Sequence, residues 1–211
     1  MRSAAMLVGA VVAAGIAALP VAAQPDATAT PDAAAYRADA VALDRLILEN
    51  YAYPERLRDG VPPRSAVLDA ERARVSDARS LLRYAERRLL TLADHHAITG
   101  GSFRDSWALV PSFSDLWVEP DARGYRIDAV REGSAAAAAG VRAGDRLVAV
   151  DDVPAGDAVA RFWTELGVAP ALWRAGFAAR VLAAGRRDRP RMLTIADRQG
   201  RSRRLVLPNL Y

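Results

Sequence analysis

The sequence predicts an α+β protein in which an N-terminal helical bundle is followed by a partly open β-barrel with flanking helices. Three observations predict it. Apolar residues recur at three-to-four spacing through the first half, the spacing of helices with one buried face. From Trp107 the pattern changes to short β-favouring runs separated by Gly, Pro and Asp. A length of 211 residues, 52% of them hydrophobic, gives room for one domain of ordinary size or two small ones, and excludes a large multidomain enzyme.

The chain opens with one positive charge in Met1-Arg2-Ser3, an apolar run from Leu7 to Leu19, a break at Pro20 and the small residues Val21-Ala22-Ala23 before Gln24. These are the parts of a secretory signal, and the run is short for a transmembrane helix. Residues 1–23 are therefore expected to be a signal peptide, the competing reading being an uncleaved N-terminal anchor. The mature chain is expected to be periplasmic or secreted, with no stable membrane span after cleavage. There is no Cys, which excludes a lipoprotein anchor, disulfides, thiolate metal sites and a cysteine nucleophile.

Residues 24–35, rich in Pro, Ala, Thr and Asp, read as a flexible leader. Within it Thr30-Pro31-Asp32 has the form of a helix start: a capping hydroxyl, Pro at the first helical position and an acid at the positive end of the dipole. Leu43, Leu46, Ile47 and Tyr51 supply the apolar face of that helix, which ends by Tyr53-Pro54. A second helix is expected from about Ser65. A third starts at Ser76-Asp77 and carries Leu81, Leu82, Tyr84, Ala85, Leu89 and Leu92, so that residues 36–100 form a bundle.

Beyond it, strands are expected over Trp107 to Val110, Leu116 to Glu119, Tyr125 to Val130 and Arg146 to Val150. Ser134 caps a short alanine helix that Gly140 closes, and Asp157 to Leu166 is amphipathic through Val159, Phe162, Trp163 and Leu166. Leu172, Trp173, Phe177, Val181 and Leu182 mark an extra helix near residues 170–185. It is expected either to cover or to flank whatever groove lies beside it. Met192 to Ala196 and Arg204 to Leu207 form a hairpin through Asp197-Arg198-Gln199-Gly200.

All 29 basic residues are Arg, since the chain contains no lysine. A lysine base, Schiff base or phosphate-loop lysine is thereby excluded. The net charge of +4 is uneven: residues 24–169 hold 18 Arg against 23 acids, and residues 170–211 hold 10 Arg against 2. The basic end reads as a solvated, Arg-decorated hairpin. No aromatic-Arg platform or reader motif accompanies it, so nucleic acid is not an expected partner.

Read as one unit, Leu116-Trp117-Val118-Glu119, Gly124 to Val130, Gly133-Ser134-Ala135-Ala136, Ala139-Gly140-Val141, Ala143-Gly144-Asp145 and Leu147 to Val150 resembles a PDZ domain, here expected over residues 107–208. Gly144 permits a tight turn, Asp145 satisfies local amides, and Leu147 and Val150 are buried. The resemblance implies that an extended peptide lies beside the strand from Leu116 and against the helix from Asp157. Ser114, Asp115, Leu116, Trp117, Val118, Val159 and Phe162 would then line the peptide site. The carboxylate loop at Ser112 to Leu116 lacks the usual glycines, and Asp115 would repel a terminal carboxylate. Either the groove takes internal segments or the domain packs within a larger protein.

Leu89 to Ala97, containing Asp94-His95-His96, resembles the segment ahead of the PDZ domain in the C-terminal-processing (tail-specific, tricorn-related) serine peptidases. The order of signal, bundle and PDZ matches as well. In that family a following domain carries a serine activated by a lysine. With the chain ending at Tyr211 and no Lys, no catalytic residue is expected here. The expectation is an exported PDZ-containing module that binds an extended peptide, a protein segment or a separate peptidase catalytic half. The alternative is the front portion of an active serine endopeptidase whose Ser-Lys domain lies beyond residue 211.

Asp94, His95 and His96 are adjacent and aim apart, no Gly-x-Ser-x-Gly elbow is present, and the pair of histidines lacks zinc-motif spacing. Neither metal nor cofactor is expected. Asp94 and His96, with Gly144 and Asp145, are assigned structural or interdomain roles, His96 being expected to lock the bundle to the PDZ unit. Trp107, Trp117, Trp163 and Trp173 are assigned to packing.

Overall fold

Capping chemistry sets the start of each bundle helix. In the computed structural model, which describes residues 32–57, 59–108 and 114–210, α1 (Ala33–Asn50) starts at Asp32, whose carboxylate accepts from the Ala34 and Ala35 amides. Asp32 is thus itself the cap in place of Thr30, because one carboxylate oxygen reaches two free amides. Ser65 caps α2 (Ala66–Ala73) by accepting from the Leu68 amide. Asp77 and Ser80 form a reciprocal capping box on α3 (Ala78–Leu90). The expected signal peptide and most of the leader lie outside the described residues, as do Leu109, Val110, Ser112 and Phe113.

The three helices bury two small apolar clusters, one of Ala40, Leu68, Val75 and Tyr84, the other of Ile47, Leu57 and Leu92. Leu46, expected on the buried face, is exposed, while Ile47 takes the core position. Polar ties supplement this thin core. The buried Arg88 on α3 donates to Asp44 of α1 at 2.6 Å and to the Pro63 carbonyl at 2.6 Å.

The strands are β1 (Leu116–Asp121), β2 (Gly124–Val130), β3 (Arg146–Val150), β4 (Val153–Pro154), β5 (Arg191–Ala196) and β6 (Ser202–Leu207). They form one antiparallel sheet in the order β1-β2-β3-β5-β6, with β4 pairing β3. The sheet is open, with β1 and β6 at its ends. The β3–β4 hairpin went unread in the sequence because its turn uses Asp151 and Asp152 at φ of 50° and 62°, a left-handed pair for which glycine is the usual signal. Of the expected strand at Trp107 the described part makes a single bridge, to Arg186.

Helix α4 (Ala135–Ala138) is capped by Ser134. Helix α5 (Ala155–Glu165) packs on β2, β3 and β4, and α6 (Leu172–Ala184) packs on α5, β1 and β5. One core joins Leu116, Ile127, Trp163, Val181 and Leu193. Residues from Pro31 onward form one compact unit. Among the described residues no helix is long and apolar enough to cross a membrane.

Candidate functional site

The turn before β3 orders the middle of the sheet. Gly144 sits at φ +92°, and its amide donates to the Ile127 carbonyl at 2.8 Å. The buried Asp145 carboxylate accepts from the Arg142 amide at 2.9 Å, and its carbonyl accepts from Ile127 at 2.8 Å. Leu147 and Val150 are thereby turned inward and buried. This places β1 at the sheet edge and α5 against β2 and β3, the two elements expected to wall the peptide site.

Helix α6 lies against both walls. On the α5 side, the Phe177 ring stands 6.4 Å from Phe162 and 6.0 Å from Trp163. On the β1 side, Gly176 approaches so closely that a Cβ there would be 2.8 Å from a Glu119 carboxylate oxygen and 3.1 Å from Pro120 Cδ. Arg180 completes the contact. Its guanidinium pairs with Glu119 at 2.7 Å, donates to the Val118 carbonyl at 3.4 Å and lies 4.4 Å over the Trp117 ring. Burial depresses the Arg180 pKa and the Glu119 charge opposes that shift.

The residues expected to line the groove are therefore placed differently. Leu116, Val118, Val159 and Phe162 are all buried, sharing one core with Ala175, Phe177 and Ala178. Their side chains lie in the core that α6 helps to form. The physical reason is that α6 is apolar around nearly its whole circumference, so it is stable only when enclosed. Its Ala and Gly residues permit the close approach. Only Trp117, 37% exposed, still presents a large surface. Ser114 closes a local turn, its hydroxyl donating to the Leu116 carbonyl at 2.8 Å. Leu172 and Trp173 stay outside the core, at 81% and 45% exposure, so α6 docks from Arg174 onward.

The Asp115 charge is buried and neutralised by a partner. It is buried in a two-pronged ion pair with Arg191, at 2.6 and 2.9 Å, and Arg191 also donates to the carbonyls of Ala183 and Pro208. One arginine thus joins the entry to β1, the end of α6, β5 and the C-terminal segment. Gly185, at φ +75°, makes room, since a Cβ there would meet Arg191 Cγ at 2.6 Å.

The Asp94 segment follows a left-handed residue, Ala93 at φ 52°, which turns the chain away from α3. The buried Asp94 carboxylate accepts from the Tyr51 hydroxyl at 2.9 Å and the His96 amide at 2.9 Å, contacts His96 Nδ1 at 3.0 Å, and lies 3.5 Å from Arg56. Burial raises its pKa, but these hydrogen bonds and the Arg56 charge outweigh that and hold it below the usual range. Burial, then the hydrogen bond to Asp94, push Tyr51 up to about 12. Asp94 is thus a tie within the bundle.

His96 is an exposed side chain and does not lock the bundle to the strand region. That role belongs to His95. Its ring packs 4.6 Å from Phe177 and 6.1 Å from Trp117, and its Nε2 accepts from Arg180 Nε at 3.0 Å. Two adjacent histidines gave the sequence no means of deciding which faced inward. The signal missed was Arg180, which sits on the same helical stripe as Phe177 in α6.

Residues 126–159 match the family described as PDZ domain. The chain carries a PDZ domain. The matched stretch covers most of β2, the Gly144-Asp145 turn, β3, β4 and the first half of α5; α6 lies beyond it. The fold is similar to that of mature CPAF complexed with lactacystin, at 17% identity and a TM-score of 0.51, covering 82% of this chain and 34% of that one. Mature CPAF alone matches at 17% identity with a TM-score of 0.49, over the same shares of the two chains. This chain spans about a third of the length of those solved chains. No curated protein matches it in sequence.

Proposed function

We propose that this protein is an exported, non-catalytic recognition module, built like the front part of a tail-specific serine peptidase, whose PDZ groove is held closed by its own α6. The observation that carries the reading is the contact of α6 with both walls through Phe177, Gly176 and Arg180. A peptide joining β1 needs that edge and the pockets beneath it. The helix must therefore move before an extended peptide, a protein segment or a peptidase catalytic half can bind there. The absence of lysine leaves these residues unable to form a Ser-Lys dyad. Support for export, to the periplasm or beyond, is the pattern of charge, apolar run and small residues in positions 1–23.

Gly176→Val tests the reading, because the new side chain collides with Glu119 and Pro120 and lifts α6 from β1. Weakening the closed state by about 1.4 kcal/mol raises apparent peptide affinity about tenfold. Peptide arrays probed with both proteins, with hydrogen exchange over residues 172–184 as a second readout, should show tighter binding and faster exchange in the variant. Loosened exchange without any gain in binding would reject a gated groove. A second reading, that these residues are the front of a longer serine peptidase, is favoured by the fold match covering only 34% of the longer chain. The mass of the protein recovered from its native cells separates the two, a species well above 22.6 kDa favouring the second.

A further inference from the structure

A cleft of about 460 Å³ opens between α3, the segment at residues 97–107, the last turn of α5 and the Arg186-Arg187 turn. Among the described residues, none from β1 or α6 lines it, and it shares with the expected peptide groove only Phe162 of α5. Its volume lies within the range of small-ligand sites. The apolar part of its lining includes Leu90, Trp107, Phe162 and Leu166, with Ile98 at the rim.

Most charges around it are already satisfied. Arg83 pairs with Asp105 at 2.9 Å, Arg87 with Glu71 at 2.8 Å, and the Glu86 carboxylate accepts from the Ser106 hydroxyl at 2.6 Å. Arg187 donates to the Ser102 hydroxyl. Arg186 differs. Its guanidinium lies 4.1 Å over the Trp107 ring and donates to the Asp105 carbonyl at 2.7 Å, and among the described residues it forms no ion pair. Burial depresses its pKa. The Asp105 and Asp188 charges oppose that shift without a direct ion pair. A partly desolvated guanidinium with no carboxylate in hydrogen-bond contact is a cost to the fold, and the planar fork favours one specific class of partner.

We propose that this cleft binds an apolar carboxylate, with the carboxylate on Arg186 and the apolar group against Trp107, Phe162 and Leu166. A single negative charge fits best, because Glu86, Asp105 and Glu165 also line the cleft and would repel a dianion such as phosphate. The chemistry is shared by two sources, the C-terminal residue of a peptide and a free carboxylic acid.

Calorimetric titration of the full chain tests it, using N-acetyl-leucine, a tetrapeptide ending in Leu with a free carboxylate, and the same tetrapeptide as its C-terminal amide. The acid should bind at least about tenfold more tightly than the amide, because a charge-assisted hydrogen bond is lost. Arg186→Met should erase that preference. Ile98→Trp, at a rim position 48% exposed, should block the cleft and abolish binding with the thermal midpoint unchanged. Tetrapeptide binding well above that of N-acetyl-leucine assigns the site to chain ends, and equal binding assigns it to free acids. Equal affinity for acid and amide, acid binding that survives Ile98→Trp, or no binding by either acid at millimolar concentration overturns the proposal.

Discussion

In the helical bundle, two clusters of a few apolar residues are laced together by arginine-carboxylate pairs, Arg88 with Asp44 and Arg87 with Glu71 among them. In the PDZ region a single core runs from Leu116 through Trp163 to Leu207, takes in Leu90 at the end of α3, and lies beside the buried Asp115–Arg191 ion pair. Partly exposed pairs contribute little each, and a small core does not supply what they lack. The bundle therefore draws stability from its neighbour. The seam is specific: the Ser65 hydroxyl donates to the Leu166 carbonyl at 2.6 Å, Arg87 donates to the Glu165 carbonyl at 2.8 Å, and His95 packs on Phe177. The PDZ region should survive loss of the bundle, and the bundle should not survive loss of the PDZ region.

The hardest test of that asymmetry removes the buried ion pair. Arg191→Met leaves Asp115 charged, enclosed and unpartnered, at a cost of about 3–5 kcal/mol. In urea denaturation both regions should unfold together at a much lower midpoint. Replacing both partners, Asp115→Leu with Arg191→Met, should recover most of the loss, since two apolar groups leave no stranded charge. A single variant that loses less than about 1 kcal/mol shows that the pair is not fixed as described.

Gly167→Ala strikes the seam and is expected to cost about 2–4 kcal/mol. Gly167 has φ +65°, and a Cβ there would lie 2.4 Å from Ser65 Oγ and 2.9 Å from Val67 Cγ2. The substitution strains the turn after α5 and displaces the hydroxyl that both caps α2 and bonds Leu166. Native-state hydrogen exchange should quicken across α1, α2 and α3 while β2, β3 and β5 keep their protection. Uniform loss of protection would show that the two regions form one cooperative unit and that the asymmetry is wrong.

What could be read from the sequence, and what could not, divides along the same line of local against tertiary causes. The Gly144-Asp145 turn, the Ser134 cap and the strand from Arg146 to Val150 were legible because each depends on residues next to one another. The groove residues Leu116, Val118, Val159 and Phe162 were legible as apolar and inward-facing. Their burial under α6 was not, because helical spacing shows that a helix has an apolar face and not which neighbour covers it. Arg191 was masked by its company. Arg198, Arg201, Arg203 and Arg204 are exposed, as a solvated hairpin implies, whereas Arg191 is buried on Asp115, a residue distant in sequence. The contact expected of His96 is made by His95, which follows the turn at Ala93, and an alanine carries no warning of a positive φ.

The smallest expected effect lies inside the bundle, where Tyr51 donates to Asp94 and links the end of α1 to the segment after α3. The Asp94 carboxyl titrates below its ordinary range when folded, so its contribution is present above about pH 4 and disappears as the pH falls through the folded value. Tyr51 works in the opposite direction. Its pKa rises to about 12 in the fold against about 10 unfolded, so its contribution is complete below about pH 10 and is lost as the pH rises through 12. Tyr51→Phe should cost about 1 kcal/mol at neutral pH and remove that part of the alkaline decline. Burial raises Tyr84 and Tyr125 as well, so wild type also declines through them, and the difference between the two proteins isolates Tyr51. Thermal midpoints should therefore converge between about pH 10 and 12. Parallel curves across that window would mean that the Tyr51 hydroxyl does not hold Asp94, and that the bundle's polar lacing contributes still less than its thin core implies.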